Sequence, residues 1–331
     1  MPASPTVSRR RFALALLASV GPRCAWAQNA GHLPRVGWLK IQDRAETPSW
    51  LAEFRKELAN LRQVEGRTFR LEERYAEGSA GRLPALAEDL VRSGVSVIVA
   101  TSQPAVDAAR RATTSIPIVG RMTDDPVEAG IAQSLARPGG NVTGIYSLLE
   151  DMSPKRLALL KQAAPAAARI GALLTLDRGA TRRWLSETEA AARALGIEVV
   201  AMDVRAPGDL EPAFAQATRT GIDGILAFRN PTIVTHHREV IALAARHRLP
   251  TIFDAREFAD AGALLSYGPN IDAIFRRMAL HVDKLLRGAN AAELPIEQPT
   301  MIELLVNLRT AKALGLSIPM TLLASADEVI E

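Results

Sequence analysis

Cysteine is almost missing from this chain: its 331 residues contain one, Cys24. Neither a disulfide framework nor a Cys-x-x-Cys zinc or redox pair can be built from a single thiol. Several chemical signatures are missing too. There is no G-x-S-x-G elbow, no G-x-x-x-x-G-K-[ST] loop and no glycine fingerprint after "RVGWL", so the signatures of an α/β-hydrolase nucleophile, a phosphate loop and a dinucleotide turn are lacking. A basic field is lacking as well. The formal charge of +4 is matched by Arg9, Arg10, Arg11 and Arg23, which lie in the first 27 residues, where there is no acid. The remainder carries no surplus of cations for nucleic acid or anionic lipid. The apolar run from Phe12 to Val20 is too short to span a bilayer as a stable helix.

That short run instead reads as the core of an export signal. "SRRRFALALLASV" puts adjacent arginines before it, and Ala25 and Ala27 are the small residues a signal peptidase accepts, with cleavage after Ala27. The pair Arg9-Arg10 followed by Phe12 favours twin-arginine export over the Sec route. Arg23 stands where a lipoprotein site wants a small residue, so Cys24 is expected to leave with the signal. The mature chain then has no thiol and is suited to the oxidising periplasm.

From Arg35 onward, short apolar runs alternate with amphipathic ones. Strands are expected at 35–41, 68–75, 95–101, 116–122 and 142–149, and after a helix starting at Ser153-Pro154 the series restarts at 169–177, 197–204, 224–230, 251–254 and 263–268. "VSVIVA" is nearly continuous in β-branched residues, as a parallel strand covered on both faces should be. Repetition of βα units gives an α/β fold with mostly parallel sheets, and two series of similar length give two lobes. The chain continues past the second series with a helix at 272–288, an extended "LPIEQP", a strand "MIELLVN" and a helix "TAKALGL". It therefore crosses between lobes more than once, which makes a hinge. The expected division places 34–146 and about 265–293 in lobe 1, and 147–264 and about 294–331 in lobe 2.

The cluster Pro138-Gly139-Gly140-Asn141 invites a phosphate-loop reading, which its order rejects. A phosphate loop has glycines after a strand and before a helix. Here a helical "EAGIAQSLA" (128–136) precedes them and a strand follows, so they read as a helix terminator with Gly139 or Gly140 in the left-handed position. His236, His237 and His247 share one expected helix; 236 and 247 stand too far apart for joint metal ligation.

Long motifs carry a resemblance at this point. "DDPVEAGIAQSLARPGGNVTGIY", "SPKRLALLKQAAP", "IALAARHRLPTIFDAREFADAGALLSYGPN" and "LPIEQPTMIELLVNLRTAKALGLSIP" closely resemble the ABC-transporter substrate-binding protein family of type I periplasmic binding fold, in the branch with tryptophan- and other amino-acid-binding members. The resemblance covers Pro34 to Glu331. It implies two Rossmann-like lobes that close on a small ligand and deliver it to an ABC permease in the inner membrane, without a cofactor or metal, without nucleic acid, and as a monomer. The alternatives are the ligand-binding subunit of a membrane sensor and, more remotely, an exported enzyme.

In open parallel sheets ligands bind beyond the carboxyl ends of the strands. Read in that way, Thr101, Ser102 and Gln103 before Pro104 form a helix start suited to a carboxylate. Asp124 is a candidate for an ammonium, with Asp125 as the cap before Pro126. In lobe 2, Asp177, Asn230, Asp254 and Glu257 form the opposing polar wall, with Asp177 or Glu257 for the ammonium; Trp38 and Tyr146 are expected against the apolar part of the ligand. Arg229 and Arg256 could equally neutralise those acids as surface pairs. Two departures from the family bear on the ligand: relatives carry a Ser/Gly-rich loop after the first strand and an Asn-Pro pair at the end of the first strand of lobe 2, where this chain has "WLKIQDRAE" and "TLDRG".

Overall fold

A computed structural model describes residues 33–45, 48–147, 152–176 and 179–331. The export signal with Cys24 and Ala27, and the candidate Asp177, lie outside the described residues.

The first βα series forms β1 (Arg35–Lys40), α1 (Pro48–Asn60), β2 (Arg70–Tyr75), α2 (Leu83–Arg92), β3 (Val97–Ala100), α3 (Gln103–Ala112), β4 (Ile118–Met122) and β5 (Val142–Tyr146). The β-branched β3 is buried at every position, whereas the charged β2 is buried at none. The sheet order follows from that contrast: β2 lies at the edge of β2-β1-β3-β4-β5 and β3 at its centre, with every pairing parallel.

The second series forms α4 (Ser153–Ala163), β6 (Arg169–Leu174), α5 (Gly179–Ala194), β7 (Glu198–Asp203), α6 (Leu210–Arg219), β8 (Gly224–Ala227), α7 (Pro231–Thr235), α8 (His237–Arg246), β9 (Thr251–Phe253), α9 (Arg256–Asp260) and β10 (Leu265–Pro269). Its sheet repeats the same order, β7-β6-β8-β9-β10. The remaining elements are α10 (Ile271–Leu286), β11 (Ile296–Glu297), β12 (Ile302–Asn307), α11 (Leu308–Leu314), α12 (Met320–Ala324) and β13 (Glu328–Ile330). Here β11 joins β5 in the first sheet, while β12 pairs antiparallel with β10 and parallel with β13 in the second.

These pairings correct two expected lobe boundaries. Residues 265–269 belong to the second sheet, because β10 bonds to β9 and β12; residues 296–297 belong to the first, because β11 bonds to β5. The helix between them, α10, packs on the first sheet's side, where Phe275 meets Trp38 at 5.5 Å and Trp50 at 5.1 Å between ring centroids. The chain thus passes between sheets after β5, between β10 and α10, and between β11 and β12.

Segment 128–136 is not the expected helix. Asp125 Oδ1 accepts the N–H groups of Val127 and Glu128, Gly130 turns left-handed at φ +62°, and Ile131 and Ala132 both donate back to the Pro126 carbonyl. These bonds coil the segment into successive turns, so Gly139, left-handed at φ +76°, ends a turn and not a helix. Gly144 answers a tighter need: at φ +130° it lets β5 lie against β4, where a Cβ would stand 2.1 Å from the Gly120 carbonyl oxygen. His236 separates α7 from α8, so the single helix expected around the three histidines is two.

Candidate functional site

Both sheets have the doubly wound 2-1-3-4-5 order, whose switch point falls between the first and third strands of each. Ligands of such sheets sit outside the carboxyl ends of the strands at that point. In this chain a cavity of about 540 Å³ lies there, within the usual range of small-molecule sites, about 300–1,000 Å³. Lobe 1 lines it with Gln42 beyond β1, Thr101, Ser102 and Gln103 beyond β3, and Arg121 and Thr123 at β4. Lobe 2 lines it with Thr175 beyond β6, Phe228, Arg229 and Asn230 beyond β8, and Trp184 on α5. Trp50, on the first turn of α1, forms part of the wall.

The sequence-derived candidates divide in this setting. Ser102 occupies the N-cap of α3, yet its side chain makes no capping bond and its buried hydroxyl has no hydrogen-bond partner. First-turn N–H groups of a helix are satisfied by such a cap, by water or by a ligand. Gln103 holds the floor in place: its Nε2 donates to Asp107, and its Oε1 accepts from the N–H groups of Thr123 and Asp124. Thr101 is spent on structure, donating from Oγ1 to the Leu39 carbonyl at 3.2 Å. Asn230 caps α7 by accepting from the Ile233 N–H at 2.8 Å, and its Nδ2 donates to Thr175 Oγ1.

Five candidates need correction. Trp38 is fully buried between Phe54 and Phe275, because the α1–α10 layer covers the β1 face it shares with Lys40. Tyr146 lies in the other apolar layer of lobe 1, with Met122 and Val106, outside the cavity lining. Asp254 and Glu257 are not open to an ammonium, since both bond to Arg229, at 2.5 Å through Nε and 2.7 Å through Nη2. Glu257 lines a separate groove of about 1,040 Å³ with Arg256 and Asp260. Asp124 stands outside the 540 Å³ cavity, tied to Gln103 through its backbone.

Arg229 is therefore no surface pair: its side chain is 8% exposed and its partner Asp254 2%. Burial by itself pushes the Asp254 carboxyl up, but the charges of Arg229, Arg156 and Arg121 prevail and hold it below the ordinary carboxylate value. Burial likewise lowers Arg229, and its two acids more than reverse this. Sequence reasoning missed Gln42, Trp50, Arg121 and Trp184 as lining residues. Trp50 and Trp184 sit in the first two turns of helices, a position that also faces the strand ends; a search confined to strand tips passes over it. Among the described residues no group of three His, Cys, Asp or Glu could hold a metal ion.

The family pattern described as "ABC transporter substrate binding protein" matches residues 52–330. The chain belongs to that family. A tyrosine-binding protein of Clostridioides difficile (strain R20291) is 26% identical over 263 residues, covering 80% of this chain and 75% of the relative. Among solved structures, the ABC domain in complex with L-Trp from Streptococcus pneumonia superposes with a TM-score of 0.82 at 22% identity, covering 90% of this chain and 100% of that one. A conserved domain protein from Vibrio cholerae gives 0.81 at 24% identity, covering 89% and 99%. These likenesses, with that to a LacI family regulator from Bifidobacterium animalis (TM-score 0.58), bear out the expected type I periplasmic binding architecture. ABC substrate-binding proteins are binding proteins, not enzymes, and work outside the cytoplasm. No helix among the described residues of this family member is long and apolar enough to cross a membrane.

Proposed function

We propose that this substrate-binding protein captures an amino acid or a related small carboxylate between its lobes and hands it to an ABC permease of the inner membrane. It reaches the periplasm through the twin-arginine signal, is cleaved after Ala27 and works as a monomer. The observation that carries the reading is the Ser102 hydroxyl: unpartnered, at an uncapped helix start, in a cavity walled by Trp50, Trp184 and Phe228. The hydroxyl and first-turn N–H groups suit a carboxylate, and the aromatic walls suit an apolar side chain. The tyrosine and L-Trp named for the relatives support the same ligand class. Because contacts come from both lobes, ligand shifts the population toward the closed form.

Thermal shift against the twenty amino acids and small carboxylates tests this. A ligand at 100 times its Kd stabilises by about 2.7 kcal/mol, which for a chain of this size raises Tm by roughly 5 °C. Ser102→Ala should weaken that ligand about tenfold. No shift with any amino acid or carboxylate, or undiminished binding by Ser102→Ala, refutes the reading.

A further inference from the structure

Ser102 shares its cavity with a second side chain in the same condition. Gln42 follows β1 by two residues, lines the cavity and is 4% exposed, yet its amide oxygen Oε1 has no hydrogen-bond partner. A buried acceptor left without a donor destabilises a protein, so such a group signals that its partner arrives from outside.

Its position gives the second half of the argument. Strands β1 and β3 are adjacent and parallel, with Leu39 opposite Ala100, and the Thr101 N–H donates to the Leu39 carbonyl. By that register Ser102 stands level with Ile41 and Gln42 one residue further on, so the two lie beyond the tips of neighbouring strands and line one cavity at the switch point. One tip carries a hydroxyl and a helix start, which suit an anion. The other carries a carboxamide whose buried, unpartnered atom is the acceptor Oε1, which takes a donor. An α-amino acid brings a donor ammonium together with a carboxylate and so offers a partner to each of the two unpartnered atoms.

We propose that Gln42 is the lobe 1 residue that reads the α-amino group of the ligand, accepting an N–H through Oε1 while Ser102 and the start of α3 hold the carboxylate. This rests on the reading of the cavity as an amino-acid site and assigns a residue to its specificity. Trp50, which shares the cavity wall, is held by stacking on Phe275 at 5.1 Å. Gln42 therefore faces a site walled by a fixed ring.

The test uses the full chain and three amino acids, L-tryptophan, L-tyrosine and L-leucine, each beside its desamino analogue, with affinities from titration calorimetry. Gln42→Met should weaken the amino acid that wild type binds by about tenfold or more and change its desamino analogue by less than about threefold. The ligand-free Tm of Gln42→Met should hold or rise, since an orphaned acceptor is removed; a purely structural glutamine would lower it. Gln42→Glu, which keeps the acceptor and adds charge, should raise the preference for the amino acid over its analogue, and it serves alone if the Met variant does not fold. Equal weakening of both compounds by Gln42→Met, or an unaltered preference in Gln42→Glu, overturns the assignment while the amino-acid reading stands. If wild type binds none of the three amino acids but binds an analogue, the amino-acid reading falls and the assignment with it.

Discussion

Removing the Arg229 guanidinium strands two carboxylates in the floor of lobe 2. In Arg229→Met, Asp254 loses its 2.5 Å partner at 2% exposure, and Glu257 loses one at 17%. Breaking a buried pair from one side costs about 3–5 kcal/mol, far more than the pair contributes relative to an apolar replacement. Arg156 and Arg121 also act on Asp254, which puts the expectation at the lower end, about 3 kcal/mol. That is a large share of a stability of about 5–15 kcal/mol and lowers Tm by roughly 5–10 °C. Urea unfolding followed by circular dichroism measures it. The sign of the pH dependence gives a second reading. In wild type the Asp254 carboxyl is held low, so its stabilisation is complete above the unfolded value of about 3.9 and is lost only as pH falls through the still lower folded value. In Arg229→Met, burial dominates and pushes that carboxyl up, so the deficit against wild type should shrink as pH is lowered toward 4. The triple variant Arg229→Met, Asp254→Leu, Glu257→Gln strands no charge and should regain most of the loss. A single-variant cost below about 1 kcal/mol, or a triple variant less stable than the single, would refute the reasoning.

Two further outcomes follow from the same geometry. Trp38→Ala, in a layer sealed by Phe54 and Phe275, should cost about 3–5 kcal/mol in chemical unfolding while the folded fraction binds ligand as wild type does; a selective loss of affinity would return Trp38 to the site. Glu128 in the turns after β4 and Arg183 on α5 join the lobes at 2.7 Å but are 65% and 50% exposed, so Glu128→Arg should speed ligand release by no more than about fivefold, with less effect at high salt. A larger or salt-insensitive change, measured by stopped-flow fluorescence, would mean that the pair does more than a surface contact can.

Some of the site was legible because it is local. Ser102 before Pro104 and Asn230 before Pro231 announce helix starts within a few residues, and both line the cavity. Asp125 before Pro126 was legible as a cap in the same way, although the helix expected after it is a set of turns: whether 128–136 coils or turns depends on Gly130 and on backbone acceptors supplied by Pro126 and Pro138.

Other assignments depend on residues far away in the chain. Alternation along β1 separates Trp38 and Lys40 from Leu39 and Ile41; both faces are buried, and the Trp38 face is closed by α10, whose Phe275 arrives more than two hundred residues later. Arg229, Asp254 and Glu257 look alike as surface charges until β8 and β9 pair and bury them. β10 reads as one more strand, and only its bonds to β9 and β12 place it in the second sheet.

The sequence by itself determined the βα repetition, the two-lobed class and the family, because these rest on spacing and on motifs carried in a single stretch of chain. The tertiary structure decided which polar groups are satisfied and which, like Ser102 Oγ and Gln42 Oε1, are left waiting. A hydrogen bond is settled by distance between atoms that the chain brings together only when both sheets have formed.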